Sequence, residues 1–419
     1  MLKRHPIHPR QYGAALLILL LMFMALGIAL IAYSTDPDSI EVARQQKTYE
    51  ALAAAKEAVL AFAATQRQSD NYSRPGELPR PDANQDGVSD TAGGNNPLIG
   101  WFPWKTLETQ ELTDASGAHL WYVVSPDFYN RTGAAAHNEP IINPGSIGQL
   151  DFAPENDIVA AAIIIAPGAA LSSQTRSAND DDADQVIQQY LEGENSDPNN
   201  LFRFTGVETA GMNDHIMIIT VDEIMRVASR SALSMAQDAL QHYYNTNHFY
   251  PYAEFDTRCD LNTATEQKTV GLLPMWADAG CPYEVIYDEV KAAAKKPEDL
   301  GYDPGYKGLP DWFDKNEWYK YIVYAVAPAC AGSATNNCDG AGFLRLGVTV
   351  DIHALVIDAG IELNGIQCSG QPPYDQSRAA LPLDICAYLE TDENTDYDND
   401  YVQTVSSTAS NDRFVIVDP

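Results

Sequence analysis

From Ala14 to Tyr33 the chain carries no charged or amide side chain, and no comparable run occurs again. At about 1.5 Å per residue such a run makes about 30 Å of helix, enough to cross a bilayer core once. A leader over residues 1–13 with Lys3, Arg4 and Arg10 precedes it, and Asp36, Pro37 and Asp38 follow it. The apolar part of a cleavable secretory signal is only about 7 to 15 residues, so the longer run reads as a retained transmembrane helix over 14–33. Basic residues lie before the run and are absent after it until Arg44, which places the N-terminus in the cytoplasm and everything past Tyr33 outside it.

Beyond the anchor the apolar positions switch between helical and strand spacing. Tyr49, Leu52, Val59, Leu60 and Ala63 recur at helical intervals in an Ala-rich stretch, predicting a helix from about Ser39 to Gln68. Ile224, Val227, Ala228, Met235, Ala239 and Tyr243 predict a second from Val221 to Asn247. Pro75 and Pro79 close the first, and Pro251 closes the second. Strands are expected near His119 to Ser125, Asp157 to Ala166 and His215 to Thr220, then near Tyr319 to Ala327, Leu344 to Ile357 and Arg413 to Val417. A further helix is expected near Tyr283 to Lys296, and the acidic stretch Asn179 to Asp184 reads as an exposed loop.

These elements come in two sets because the chain repeats itself. Asp157-Ile158-Val159-Ala160-Ala161-Ala162-Ile163 returns as Asp351-Ile352-His353-Ala354-Leu355-Val356-Ile357, and Tyr190-Leu191-Glu192 as Tyr388-Leu389-Glu390. Asn213-Asp214-His215-Ile216-Met217-Ile218 returns as Asn411-Asp412-Arg413-Phe414-Val415-Ile416, and Tyr122-Val123-Val124-Ser125-Pro126 matches Tyr324-Ala325-Val326-Ala327-Pro328. Several matches in one order at an offset of roughly 200 residues point to a tandem duplication. The expected fold class is α+β: a transmembrane helix, then two helix-plus-antiparallel-sheet units over 34–220 and 221–419.

Charge and cysteines narrow the partners and the compartment. A net charge of −32 counts against a nucleic-acid partner, which needs Lys and Arg gathered on one face. All 6 cysteines lie in the second unit, with no C-x-x-C pair of the zinc or redox type. An even number outside the cytoplasm predicts disulfides, and neighbour pairing is expected: Cys259 with Cys281, Cys330 with Cys338, Cys368 with Cys386.

Arg10-Gln11-Tyr12-Gly13-Ala14-Ala15-Leu16-Leu17 leading into the apolar run, with the helical continuation Ala53-Ala54-Ala55-Lys56-Glu57-Ala58, resembles the type IV pilin and type II secretion pseudopilin superfamily. The end of the second helix, His242-Tyr243-Tyr244-Asn245 through Tyr250-Pro251, is similar to the helix end of major pseudopilins. The segment Gly100-Trp101-Phe102-Pro103-Trp104 and the Asp114-Ala115-Ser116-Gly117 turn resemble pilin-like envelope proteins. The resemblance covers the N-terminal segment well and both heads loosely. It implies a pilin-like stem helix, cleavage after Gly13 by a prepilin peptidase and methylation of Ala14. It also implies partnership with other pilins through the N-terminal helix, inner-membrane residence and heads that are periplasmic or extracellular, on the cell surface after assembly. Most pilins carry Glu at the fifth mature position, where this chain has Ile18. That Glu meets a neighbour's positive N-terminus in an apolar filament core, where an unpaired charge is costly. Its absence, with a double head, implies a low-copy or tip subunit.

One loop carries candidate metal chemistry. Asp82, Asn84, Asp86 and Asp90 offer oxygens at alternate positions, Gly87 permits a sharp turn, and the Val88 carbonyl adds a ligand, as in calcium loops. Gly93 stands where an EF-hand places its Glu, and the competing reading is an Asx-rich turn. Calcium is the cofactor expected there. The later run Asp392, Asn394, Asp396, Asp398 and Asp400 has Tyr397 in place of the turn glycine and reads as a solvated charge run. No G-x-S-x-G, H-E-x-x-H, phosphate loop or dinucleotide fingerprint occurs, and the His residues are scattered, so no enzyme is expected. Two functional classes remain: a minor pilin or pseudopilin-like filament component, and a stand-alone anchored adhesin.

Overall fold

The computed structural model describes residues 18–27, 37–65, 74–90, 99–129, 141–153, 159–177, 182–197, 203–206, 211–253, 269–273, 309, 312–313, 316–332, 338, 342–360, 385–389, 394, 399–403 and 412–418. It is an α+β protein with mixed sheets. Residues 18–27 are helical (α1), and α2 runs Pro37–Thr65. Pro37 opens α2, a position that tolerates a missing N–H. No helix among the described residues is long and apolar enough to cross a membrane. Of the expected 14–33 span, residues 18–27 are described, as is none of the leader.

The first sheet contains β1 (Ile99–Trp101), β2 (Trp121–Val124), β3 (Leu150–Ala153), β4 (Val159–Ala166), β5 (Arg203–Thr205) and β6 (His215–Thr220). β4 is the spine: β2 and β3 pair with its two halves on one side, β6 pairs along the other, and all of these pairs are antiparallel. β5 extends β3 in parallel. Both faces of this sheet are covered, which is why its strands read as unbroken apolar runs. Tyr122, Val124 and Ile164 face α2 and the helix α4 (Val221–Asn247), while Trp121, Val123, Ile163 and Ile165 face a shorter helix, α3 (Ala183–Tyr190). Trp101 and Trp121 lie 4.2 Å apart between ring centres, and Tyr190 meets Trp101 edge-on at 4.8 Å.

The second sheet has β7 (Val270–Leu272), β8 (Ile322–Val326), β11 (Ala354–Asp358) and β13 (Arg413–Val417), in the order β7-β8-β11-β13, with every pair antiparallel. The first sheet contains the same path, β1-β2-β4-β6. A small sheet of β9 (Leu344–Leu346), β10 (Thr349–Ile352) and β12 (Asp400–Tyr401) stands beside it, with β12 parallel to β9 as β5 is to β3.

Two expectations need correcting. The strand expected over Leu344 to Ile357 is three strands, because Gly347 at φ 58° turns β9 back onto β10 and Asp351 at φ 62° breaks the register before β11. The loop expected over Asn179 to Asp184 includes the start of α3: Asp182 is its N-cap and accepts from the Gln185 N–H. The helix expected near Tyr283 to Lys296 lies outside the described residues.

The two long helices pack side by side, and α4 touches β4, β6, β11 and β13. It therefore buries more than one stripe, from Ile224 and Met225 through Leu233 and Leu240 to Tyr243. A capping box starts it: the Thr220 hydroxyl accepts from the Glu223 N–H, and the Glu223 carboxylate accepts from the Thr220 N–H. Lys56 of α2 reaches the same Glu223 at 2.6 Å. Burial pushes the Glu223 carboxyl up, but hydrogen bonds from Lys56 and Thr220 and the Lys56 charge outweigh it, leaving a net downward shift.

Candidate functional site

The Asp82 loop leaves a buried bridge to Trp101 and returns through Ser89 and Asp90. Asp82 is 1% exposed and accepts from the Asn84 N–H at 3.0 Å through Oδ1 and from the Gly87 N–H at 2.6 Å through Oδ2. Asn84 Oδ1 accepts from the Asp86 N–H at 3.2 Å, and Asp86 Oδ1 from the Val88 N–H at 2.7 Å. Asp90 Oδ2 accepts from the Ala83 N–H at 2.5 Å. Successive side-chain oxygens at alternate positions thus wind the backbone into a tight coil, and Gly87 makes the bend at φ 84°. A Cβ there would come 2.6 Å from the Trp104 ring. Burial pushes the Asp82 carboxyl up, against the pull of the Gly87 and Asn84 amides.

The winding matches what a calcium loop needs, with carboxylates at the first and fifth positions, an amide oxygen at the third and glycine at the sixth. Asp82, Asp86 and Asp90 do not bring three ligand oxygens within 4.8 Å of one another, and the Lys105 ammonium donates to the Asp86 carbonyl. A cation would therefore have to draw the oxygens together and displace Lys105.

Of the remaining predicted site residues, Cys330 and Cys338 are disulfide-bonded with Cα atoms 4.4 Å apart, the pairing expected from neighbour spacing. Cys386 is also disulfide-bonded, and its partner lies outside the described residues, as do Cys259, Cys281 and Cys368. The processing residues Gly13 and Ala14 lie outside them too. The second acidic run is not wholly a solvated charge run: Asn394 is buried, while Asp392, Asp396 and Asp398 lie outside the described residues.

Asn394 belongs to a pair of buried polar clasps that its sequence neighbourhood conceals. In the first head Asn195 donates to Asp214 Oδ2 at 2.8 Å and to the Thr205 carbonyl at 3.0 Å, and accepts from the Thr205 N–H at 2.9 Å. In the second, Asn394 donates to Asp412 Oδ2 and to the Val402 carbonyl, and accepts from the Val402 N–H. Each clasp ties the loop after the Tyr-Leu-Glu segment to the residue before the last strand. Asp214 is fully buried and its Oδ1 has no donor. Burial and the neighbouring Glu192 carboxylate push its pKa up to about 8, so it holds a proton at neutral pH. Only the recurring Asn-Asp dipeptide before each last strand was a signal of this in the sequence.

The chain matches no family model, no curated protein and no solved structure. One further group of ligand-type side chains stands together among the described residues, Cys330, Cys338 and His353, with sulfur and ring-nitrogen atoms within 4.8 Å of one another.

Proposed function

We propose that this chain is a membrane-anchored minor pilin or pseudopilin-like protein, a non-enzymatic, low-copy or tip component of a type IV filament or secretion pseudopilus. The observation that carries the reading is α1. Its large side chains, Ile18 through Met24 and Leu26, are 55–68% exposed all round the helix. A helix that is apolar on every side belongs in lipid or in a bundle of like helices, because no single face is available for water. The Ala-rich α2 follows in the chain, and two heads of like strand order follow that. The parts needed for a filament subunit are thus an apolar helix that packs with its neighbours, a stem and an exported surface. Ile18 leaves that helix without the carboxylate that repeating subunits use, which suits a subunit present at the end. The disulfide in the second head suits an exported location. Calcium binding at the Asp82 loop belongs to the same reading, as a stiffener of the first head.

Photo-crosslinkers placed at Leu20 and Met24 in native membranes test the reading. The expected products are adducts with other single-span filament subunits. Adducts with lipid alone, in cells that assemble filaments, would instead fit an anchored adhesin that never joins one.

A further inference from the structure

Cys330 and His353 are placed by the most regular part of the second head. Cys330 ends the turn that follows β8, with its N–H on the Ala327 carbonyl at 2.8 Å and its carbonyl accepting from Tyr250 at 2.8 Å. His353 links β10 to β11, and its carbonyl accepts from the Ala327 N–H at 2.8 Å. Its ring stacks on Phe343 at 5.5 Å. Cys338 reaches the same spot through its N–H on the Ala329 carbonyl at 3.2 Å. His353 Nδ1 is buried without a hydrogen-bond partner, and one nitrogen of the ring lies within 4.8 Å of both sulfurs.

The first head builds the same corner without these residues. Phe128 there donates to the Ser125 carbonyl at 3.0 Å and accepts from Leu78 at 2.8 Å, as Cys330 does with Ala327 and Tyr250. Parallel bridges Leu78 to Tyr129 and Tyr250 to Ala331 lock both corners. Ala161 stands where His353 does, since its carbonyl accepts from the Ser125 N–H at 2.8 Å as that of His353 accepts from the Ala327 N–H. The backbone thus folds with Phe and Ala, and the second copy differs by a thiol and an imidazole together. That paired difference is a change in chemistry that the corner does not require.

We propose that Cys330, Cys338 and His353 form a redox-gated site for a thiophilic d10 cation such as Zn²⁺. In the oxidised state the disulfide closes it. A dithiol opens it: two electrons and two protons pass to the Cys330–Cys338 bond, giving two thiols while the dithiol becomes a disulfide. The metal then displaces the two thiol protons and binds two thiolates and one imidazole nitrogen, with a solvent molecule in the fourth place. Cys330 is buried and Cys338 only partly so, which makes Cys338 the accessible sulfur for the incoming thiolate.

The test uses the full chain in detergent, either oxidised or reduced with a dithiol that is then removed without air, and equilibrated with zinc. Reduced wild type should retain about one zinc more per chain than reduced Cys338→Ser, and the oxidised protein should lack it. His353→Ala, which installs the residue of the first head, should keep the far-ultraviolet circular dichroism of wild type and weaken zinc by more than about 10-fold. Cobalt in place of zinc should give a sulfur-to-metal charge-transfer band in wild type only. Equal zinc in reduced wild type and Cys338→Ser overturns the proposal, whether because the thiols ignore metal or because reduction melts the corner. So does an unchanged affinity in His353→Ala.

Discussion

Asp214 shows how much a single side chain can decide. Both oxygens are shut away from water, one held by Asn195 and the Glu192 N–H, the other facing no donor. Its folded pKa of about 8 lies above the usual unfolded value, about 3.9. Between those values the folded chain holds a proton that the unfolded chain has lost, so the stabilising contribution is complete below pH about 4 and drains away as pH rises towards 8. Asp214→Asn keeps an acceptor for Asn195 and removes the titration. Chemical denaturation at pH 5 and pH 8 should show wild type losing more stability across that interval than the variant, and parallel losses would refute the assignment. The clasp was hard to read in the sequence because Asn and Asp in connecting segments look the same whether they face water or a core. Burial is set by β5 and β6 closing over them.

At the scale of elements, legibility followed the strength of the pattern. The helix Val221–Asn247 and the strands His215–Thr220 and Arg413–Val417 have the expected bounds, since a long stripe or an apolar run bounded by turn residues has few other solutions. β1, β3, β5, β7 and β12 span two to four residues each, too short to carry a period, and exist because a neighbouring strand offers its edge. α3 was hidden because its cap, Asp182, stands in an acidic run that reads as loop. The Asp82 loop is the opposite case: oxygens at alternate positions with Gly87 predicted its tight coil, and its backbone is wound by those same oxygens. Millimolar calcium should raise the melting temperature, with a stabilisation of about 2.7 kcal/mol once calcium reaches about 100 times its dissociation constant. Asp86→Ala, which removes an exposed ligand and spares the Asp82 bonds that hold the turn, should abolish the rise. A melting temperature indifferent to calcium in wild type would leave the coil as an Asx turn alone.

Across the whole molecule the two heads share one interior. A single cluster of buried apolar residues runs from Leu52 and Val59 of α2 through α4 to Val356 and Val417 of the second sheet. Polar links cross the same boundary: Arg74 donates to the Asn316 side chain at 2.7 Å, the Ile142 N–H donates to the same oxygen at 2.9 Å, and Asn143 donates to the Asn316 carbonyl at 2.9 Å. A duplication read from sequence suggests two beads, but α4 opens the second set of elements while covering the first sheet. Denaturant melts followed by Trp fluorescence and by far-ultraviolet circular dichroism should therefore coincide in one transition. A chain ending at Thr220 should fail to fold, because removing α4 strips the cover from Ile164 and Ile219. Two separate transitions, or a folded fragment, would show the heads to be independent.

The proposed filament role has one central consequence, that the apolar helix would be an assembly stem with a processed end. Mass spectrometry of the native protein, isolated from cells with an active prepilin peptidase, tests this most directly. The expected product is a chain that begins at Ala14 with a methylated amine. An intact leader from Met1 to Gly13 in those cells would contradict it.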